Sequence, residues 1–384
     1  MFPFRATAQH IPQRRAWQKI AWVLRALVLL ALLSRIAPAH PLVFLGPPQT
    51  VSTQHPAVCV HTLLTNEVEE WKIQRTLQLV REMGAPTIVE FFPWAYVERA
   101  PGQYDWAHTD RIIRHAQNQG LRVIARLGLV PDWARPPVQE RVTTLTYLDE
   151  KHFADFAAFV GAFTARYTGT VVGVIIWNEP NLSLEWGGRA PDPAAYVELL
   201  RLAYAAAHAA NPQIVVYGGA LAPTLEPEGS GAAMNDLRYL ERMYQLGARP
   251  YFDALAVHAY GFTAPPDDPP AADKLNFRRV ELLRALMVRY DDAAKPLSIT
   301  EGGWSDDARW VYGVRPAQRM AYTLRAFELV EAWPWAERLC LWNFRQPQDR
   351  FNRRDAYFAL VSSEFDRKPI YEAVQAYAQG QPYP

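Results

Sequence analysis

From residue 56 onward the chain repeats one pattern eight times: a short apolar run, then a stretch with helical periodicity. The apolar runs fall at 58–61, 87–92, 121–127, 171–177, 214–217, 254–259, 297–300 and 338–342. The run at 171–177 is β-branched and almost wholly apolar, as a strand covered on both faces must be. The helical stretches fall at 66–83, 109–118, 149–167, 193–210, 236–246, 277–290, 316–330 and 370–377. Asn66 is expected to cap the first, and Phe153, Phe156, Val160 and Phe163 mark the buried face of the third. Strict alternation predicts a parallel α/β fold, and a count of eight favours a closed barrel over an open sheet. The expectation is a single (β/α)8 TIM barrel over residues 56–384, with 40–55 as a lead-in and no accessory domain. The proline-rich segment 265–270 reads as a loop after the sixth strand rather than a linker.

Residues 1–39 stand outside this pattern. Arg5, Arg14, Arg15 and Lys19 precede an apolar stretch from 20 to 37, which Arg25 interrupts. A bilayer-spanning helix needs ~20 mostly apolar residues. The unbroken part, 26–33, better suits a signal-peptide core, and Ala37-Pro38-Ala39 resembles a small-x-small cleavage site. The segment is read as a signal peptide or an N-terminal membrane anchor, and the protein is expected to be exported, to the outside or the cell surface.

Lys plus Arg number 40 and Asp plus Glu 39, for a net charge of +1, which argues against nucleic acid as a partner. Cys59 and Cys340 sit in apolar strand-like stretches without metal-ligand spacing. They read as two buried free thiols; a disulfide stays open if the first and last strands are neighbours. Thirteen Trp supply either ligand-stacking faces or core volume.

In a closed barrel of this kind the chemistry sits at the C-terminal strand ends. Two glutamates fall there: Glu179, in Trp177-Asn178-Glu179-Pro180-Asn181 after strand four, and Glu301, in Thr300-Glu301-Gly302-Gly303-Trp304 at the end of strand seven. Strands four and seven lie across the mouth from each other, so the two carboxyls can flank a ligand. Glycosidic cleavage needs such a pair: one acid to protonate the leaving oxygen, and one carboxylate on the opposite face.

These motifs resemble clan A of the retaining glycoside hydrolases, over residues 56 to 380. The string WNEPNLS is most similar to the β-xylosidase and α-L-iduronidase family of that clan. The resemblance implies Glu179 as acid/base, Glu301 as nucleophile and Asn178 as a contact for the sugar 2-hydroxyl. His258-Ala259-Tyr260 on strand six is similar to the clan's His-x-Tyr, whose Tyr contacts the nucleophile. Trp342 falls where the clan often has a sugar platform. Trp94, in the loop after strand two, and Trp304 are further candidate sugar contacts. The sequence departs from the clan at strand two, where some members carry an Arg near the nucleophile and this chain has Val89 and Glu90. That family's β-xylosidases usually add a β-sandwich, which is not expected here after the eighth helix. Glu90 and Arg126 lie near strand ends, as an ion pair or, preferred, as polar walls of the site, and Glu185 is expected to be solvated.

The implied partner is a carbohydrate: an oligosaccharide, a polysaccharide or a simple glycoside. A non-catalytic or transglycosylating sugar-binding barrel is the alternative. A metal-dependent barrel hydrolase ranks low, because strand one ends Val60-His61-Thr62-Leu63 with no second His. No metal or other cofactor is expected. Chelation with EDTA should therefore leave the rate of glycoside cleavage unchanged; a loss that added zinc or calcium restores would count against this reading.

Overall fold

The structure is a computed structural model that describes residues 13–36, 43–136, 144–347 and 354–382. It divides into two units, residues 1–43 and 44–384. The first contains a helix, Gln13–Ile36. Among the described residues no helix is long and apolar enough to cross a membrane.

The second unit is a closed barrel of eight parallel strands: β1 (Val58–Thr62), β2 (Thr87–Pro93), β3 (Arg122–Gly128), β4 (Val171–Ile176), β5 (Val215–Leu221), β6 (Ala254–Tyr260), β7 (Leu297–Gly303) and β8 (Ala336–Leu341). Each strand pairs with its neighbours in the chain, and β1 closes on β8. The main helix after each strand is, in turn, α1 (Glu70–Met83), α2 (Ala107–Asn118), α3 (Phe153–Arg166), α4 (Pro193–Ala210), α5 (Asp236–Gln245), α6 (Val280–Arg289), α7 (Pro316–Ala332) and α8 (Pro369–Ala378). A two-stranded hairpin, Glu98–Ala100 with Gln103–Tyr104, decorates the loop after β2. The expected lead-in belongs to the barrel unit from Phe44, and bonds its backbone at Gln49 to Asn118 and at Gln54 to Ala378.

One expectation at the first helix is corrected. Asn66 ends a short 3₁₀ turn, Leu64–Asn66, and α1 begins later, behind Glu69, with no side-chain cap. The chain makes this extra turn because Glu90, buried on β2, accepts bonds from the backbone N–H groups of Leu64 (2.9 Å) and Thr65 (3.0 Å) and from the Thr62 hydroxyl (2.5 Å). Glu90 thus serves the β1–α1 turn and is neither an ion-pair partner of Arg126 nor a wall of the mouth.

Strand side chains alternate between two faces, and the barrel uses this alternation to separate two cores. Val58, Val60, Ile88, Val123, Leu127, Leu255, Val257, Leu339 and Leu341 pack outward against the helices. Cys59, Val89, Ile124, Ile175, Tyr217, Ala254, Ala256 and Cys340 fill the interior. The inward residue two positions further along is then the one that reaches the mouth. On β1 that is His61, on β3 Arg126, on β6 His258 and, two further, Tyr260.

The two cysteines are not free thiols. They pair directly across the β1–β8 seam, with Cα atoms 4.1 Å apart, and form a disulfide inside the barrel. The physical reason is register: both point inward at the same level of the two strands that close the barrel. Chain denatured without reductant should therefore show no group reactive to a thiol reagent, and two would overturn the bridge. Replacing both cysteines by Ala should lower the unfolding free energy by about 2–4 kcal/mol, read from the midpoint of urea unfolding.

Candidate active site

The loop after β4 brings Glu179 to the mouth through an unusual backbone. Trp177 and Glu179 both have positive φ, 72° and 41°, as does Ala220 on β5 at 49°. The Glu179 N–H bonds the Ala220 carbonyl at 3.0 Å. Non-glycine residues in this region carry strain, which persists only where surrounding contacts enforce it. Here the enforcing contacts are Asn181, which bonds the backbone of Ala222 in both directions, and the Trp177 indole, which donates to the Glu185 carbonyl at 2.7 Å.

Opposite, β7 delivers Glu301 at its end, with a side chain 8% exposed. Arg126 Nη1 donates both to Glu301 Oε1 and, at 2.8 Å, to Asn178 Oδ1. The Tyr260 hydroxyl donates to Glu301 Oε2 at 2.9 Å. Burial alone pushes the Glu301 carboxyl up, but the positive charges of His258 and Arg126 outweigh it and hold the group below the usual carboxylate range. Tyr260, buried beside two carboxylates, is pushed well above the ordinary phenol value and stays a donor.

His258 lies between the two glutamates. Its Nδ1 is 2.7 Å from Glu179 Oε1 and 3.6 Å from Glu301 Oε2. Burial lowers its proton affinity, yet Glu301 and the bond to Glu179 raise it above the ordinary histidine value. An oxygen of Glu179, a ring nitrogen of His258 and an oxygen of Glu301 all lie within 4.8 Å of one another. Such a trio has the donor types of a metal site. Arg126 is already paired with Glu301 through Oε1, while His258 faces Oε2, so a cation held by the trio would share that carboxylate with a guanidinium. His61 completes the floor, its Nε2 3.7 Å from Glu301 Oε1. Burial first, then the charge of Arg126, lowers its pKa to about 3, so it stands neutral. The Trp342 ring meets His61 edge to face at 4.7 Å between centroids and is partly exposed at the mouth.

Of the expected site residues, Asn178, Glu179, His258, Tyr260, Glu301 and Trp342 converge at this mouth. Trp94 and Trp304 do not reach it as sugar contacts. Trp94 is buried among Trp133, Phe156 and Phe159, and its N–H donates to Glu98 at 2.5 Å. Trp304 is buried against Phe277 and Tyr322, with its N–H on the Ala264 carbonyl at 2.9 Å. Each ring has both faces covered and its polar atom bonded, so neither can stack on a ligand.

Glu185 also departs from expectation. It is only half-exposed, and lines a recess of about 190 Å³ with Phe91, Arg126, Gly128, Leu129, Thr146, Trp177 and Asn178. Burial, reinforced by the nearby Glu179 charge, raises its pKa to about 7. Arg126 stands at the mouth as the polar wall expected of it, two residues beyond Ile124 on one strand face, and its bond to Glu301 adds a role that strand position alone does not reveal.

The barrel resembles solved structures over most of its length. It matches a family 39 glycoside hydrolase from Bacteroides cellulosilyticus with a TM-score of 0.69 at 19% identity, covering 87% of this chain and 65% of that one. The fold is shared with glycoside hydrolases. A GH39 β-xylosidase from Caulobacter crescentus matches with a TM-score of 0.57 at 20% identity, covering 86% of this chain and 72% of that one. An exo-β-1,4-mannosidase from an Opitutaceae bacterium matches at 0.56 and 18% identity, covering 88% and 63%. The chain thus spans less than two thirds of the first of these proteins. No family model and no curated protein matches the sequence.

The Arg126–Glu301 contact has a measurable signature. The Glu301 carboxyl is held below the usual carboxylate range because His258 and Arg126 oppose its burial. In Arg126→Ala burial meets less opposition, so the carboxyl holds its proton to higher pH. If ionised Glu301 is needed for turnover, the acid limb of kcat/KM should move up by about 1–3 pH units. The pH-independent rate should fall about 100-fold or more, because a preorganised charge is lost. An unmoved acid limb in a folded variant would separate Arg126 from Glu301.

Proposed function

We propose that the protein is a retaining glycoside hydrolase that cleaves O-glycosidic bonds by double displacement. The observation that carries this reading is the spacing of the two carboxyls, within 4.8 Å at their facing oxygens across the barrel mouth. Retaining enzymes hold the pair ~5–5.5 Å apart, whereas inverting ones need ~6.5–9.5 Å to admit a water between them.

In this reading Glu179 gives its proton to the leaving oxygen while Glu301 attacks the anomeric carbon and forms a glycosyl-enzyme. Glu179, now a carboxylate, removes a proton from water, which displaces Glu301 and restores both groups. The surroundings suit the division. Glu301 is kept ionised by Arg126, with Tyr260 fixing its second oxygen. Glu179 is the more exposed of the two, at 18% of its side chain against 8%, and can meet water after the first step. His258 shares a hydrogen bond with Glu179 and orients it. Asn178, with its oxygen held by Arg126, can turn an N–H toward a sugar hydroxyl. Trp342 offers a flat apolar ring for the face of a pyranose. The partner is accordingly a carbohydrate.

We also propose export, guided by residues 1–39. The buried Cys59–Cys340 bridge supports it, because disulfides persist in oxidising compartments and are rare in the cytosol.

The roles are separable by leaving group. A good leaving group departs without a proton, so Glu179→Ala should keep much of its first-step rate on an activated aryl glycoside and lose far more on an unactivated one. Azide should accelerate it and yield a glycosyl azide of unchanged anomeric configuration. Glu301→Ala should be nearly inert on both, and any azide product should be inverted. Opposite patterns would reverse the assignment, and normal rates in both variants would move the site elsewhere.

A further inference from the structure

Glu185 is a third carboxyl at the mouth, and double displacement assigns it no task. The turn that carries it, Leu184–Trp186, is pinned from several sides. The Trp177 indole donates to the Glu185 carbonyl at 2.7 Å. The Thr146 hydroxyl donates to the Leu184 carbonyl at 2.7 Å and accepts from the Gly187 N–H at 3.2 Å. Trp186 is buried on one side of Glu185, while Leu184 is 74% exposed on the other. Gly187 closes the turn at φ 75°, where a Cβ would sit 2.7 Å from the Tyr147 backbone. These contacts use the main chain of Leu184, Glu185 and Gly187. The Glu185 carboxyl does not hold the turn; it faces the recess beside Arg126 and Asn178.

The charged neighbours of that carboxyl are Arg126, Glu179 and Glu301, with Asn178 as a hydrogen-bond partner. Arg126 is already committed to Glu301 and Asn178. The nearby Arg189 bonds the carbonyls of Trp186 and Leu148 and stacks on Tyr147. Among the described residues no cation forms an ion pair with Glu185. A carboxyl placed rigidly in a recess, short of donors, costs free energy unless a ligand brings them. The recess is polar on this side and roomy enough for several waters at about 30 Å³ each, or for the hydroxylated edge of a sugar.

We propose that Glu185 is a specificity-determining residue, whose carboxyl accepts hydrogen bonds from ring hydroxyls of the sugar bound against Asn178. It would restrict the substrate to glycosides with free hydroxyls on that edge. The inference rests on the glycosidase reading above. The chemistry fits: burial raises the pKa of the free carboxyl to about 7, donated hydrogen bonds favour its ionised form, which accepts through two oxygens, and adjacent hydroxyls of a pyranose present two donors. A site built to bond a hydroxyl discriminates strongly against an analogue without it, because its own polar group is left unpaired.

The test is a coupling cycle. The parent and Glu185→Ala are assayed for kcat/KM on the nitrophenyl glycoside that the parent cleaves fastest and on its monodeoxy analogues, one for each ring hydroxyl. Thermal unfolding verifies that the variant is folded. The parent should lose about 10–100-fold on at least one analogue, as for hydrogen bonds to charged groups. Glu185→Ala should lose a similar factor on the full substrate and little more on that same analogue. Glu185→Gln, which preserves shape, should show coupling at the same position and serves if the Ala variant does not fold. Losses that multiply independently at every position overturn the role of Glu185, even if the variant shifts the pH profile by acting on Glu179. A parent that cleaves no glycoside overturns the glycosidase reading, and this inference with it.

Discussion

Glu301 carries its charge into a place where little of its side chain meets water, and the guanidinium of Arg126 lies against it. An ion in a low-dielectric site is costly unless a counter-charge and hydrogen bonds accompany it. The arrangement at the mouth follows from that need. Arg126 compensates Glu301 and at the same time fixes Asn178. Tyr260 takes the second oxygen. His61, close to the same carboxylate and to Arg126, is held neutral and adds shape rather than charge. His258, between the two glutamates, leans toward its charged form. Removing any one of these changes the electrostatics of the others, so the mouth behaves as a single charge network.

The fold and the facing glutamates were legible in the sequence for one reason each. Periodicity announces strands and helices, and strand ends announce the mouth. What remained hidden depended on which neighbours a side chain meets. An aromatic residue just past a strand reads the same whether it stacks on a ligand or packs beneath a loop. For Trp94 the answer came from Phe156 and Phe159 on α3, and for Trp304 from Phe277 near the start of α6. Glu185 read as solvated because a Glu in a loop usually is, yet its turn is pinned so that the carboxyl looks inward. Arg126 was legible in principle. Its place two residues beyond the inward Ile124 puts it at the mouth, and only the partner, Glu301 on the far side, required the fold.

The same logic explains why the backbone around Glu179 tolerates positive φ at two non-glycine positions. A relaxed chain leaving β4 would carry the side chain along the strand direction. The left-handed residues turn it across the mouth toward His258, and buried bonds from Asn181 and Trp177 keep it there. Local conformational preference yields to placement of the carboxyl, which is the pattern expected where geometry serves a site.

The disulfide inside the barrel has a topological consequence. Cys59 and Cys340 are 281 residues apart in sequence and lie on the two strands that meet at the seam. The backbone between them, together with the bridge, forms one covalent ring that runs once around the barrel. A single cut in any loop of that ring, including those that frame the mouth, leaves the protein as one covalently connected molecule. After such a break every strand is still tethered to the rest of the barrel through the bridge, so the two pieces cannot diffuse apart.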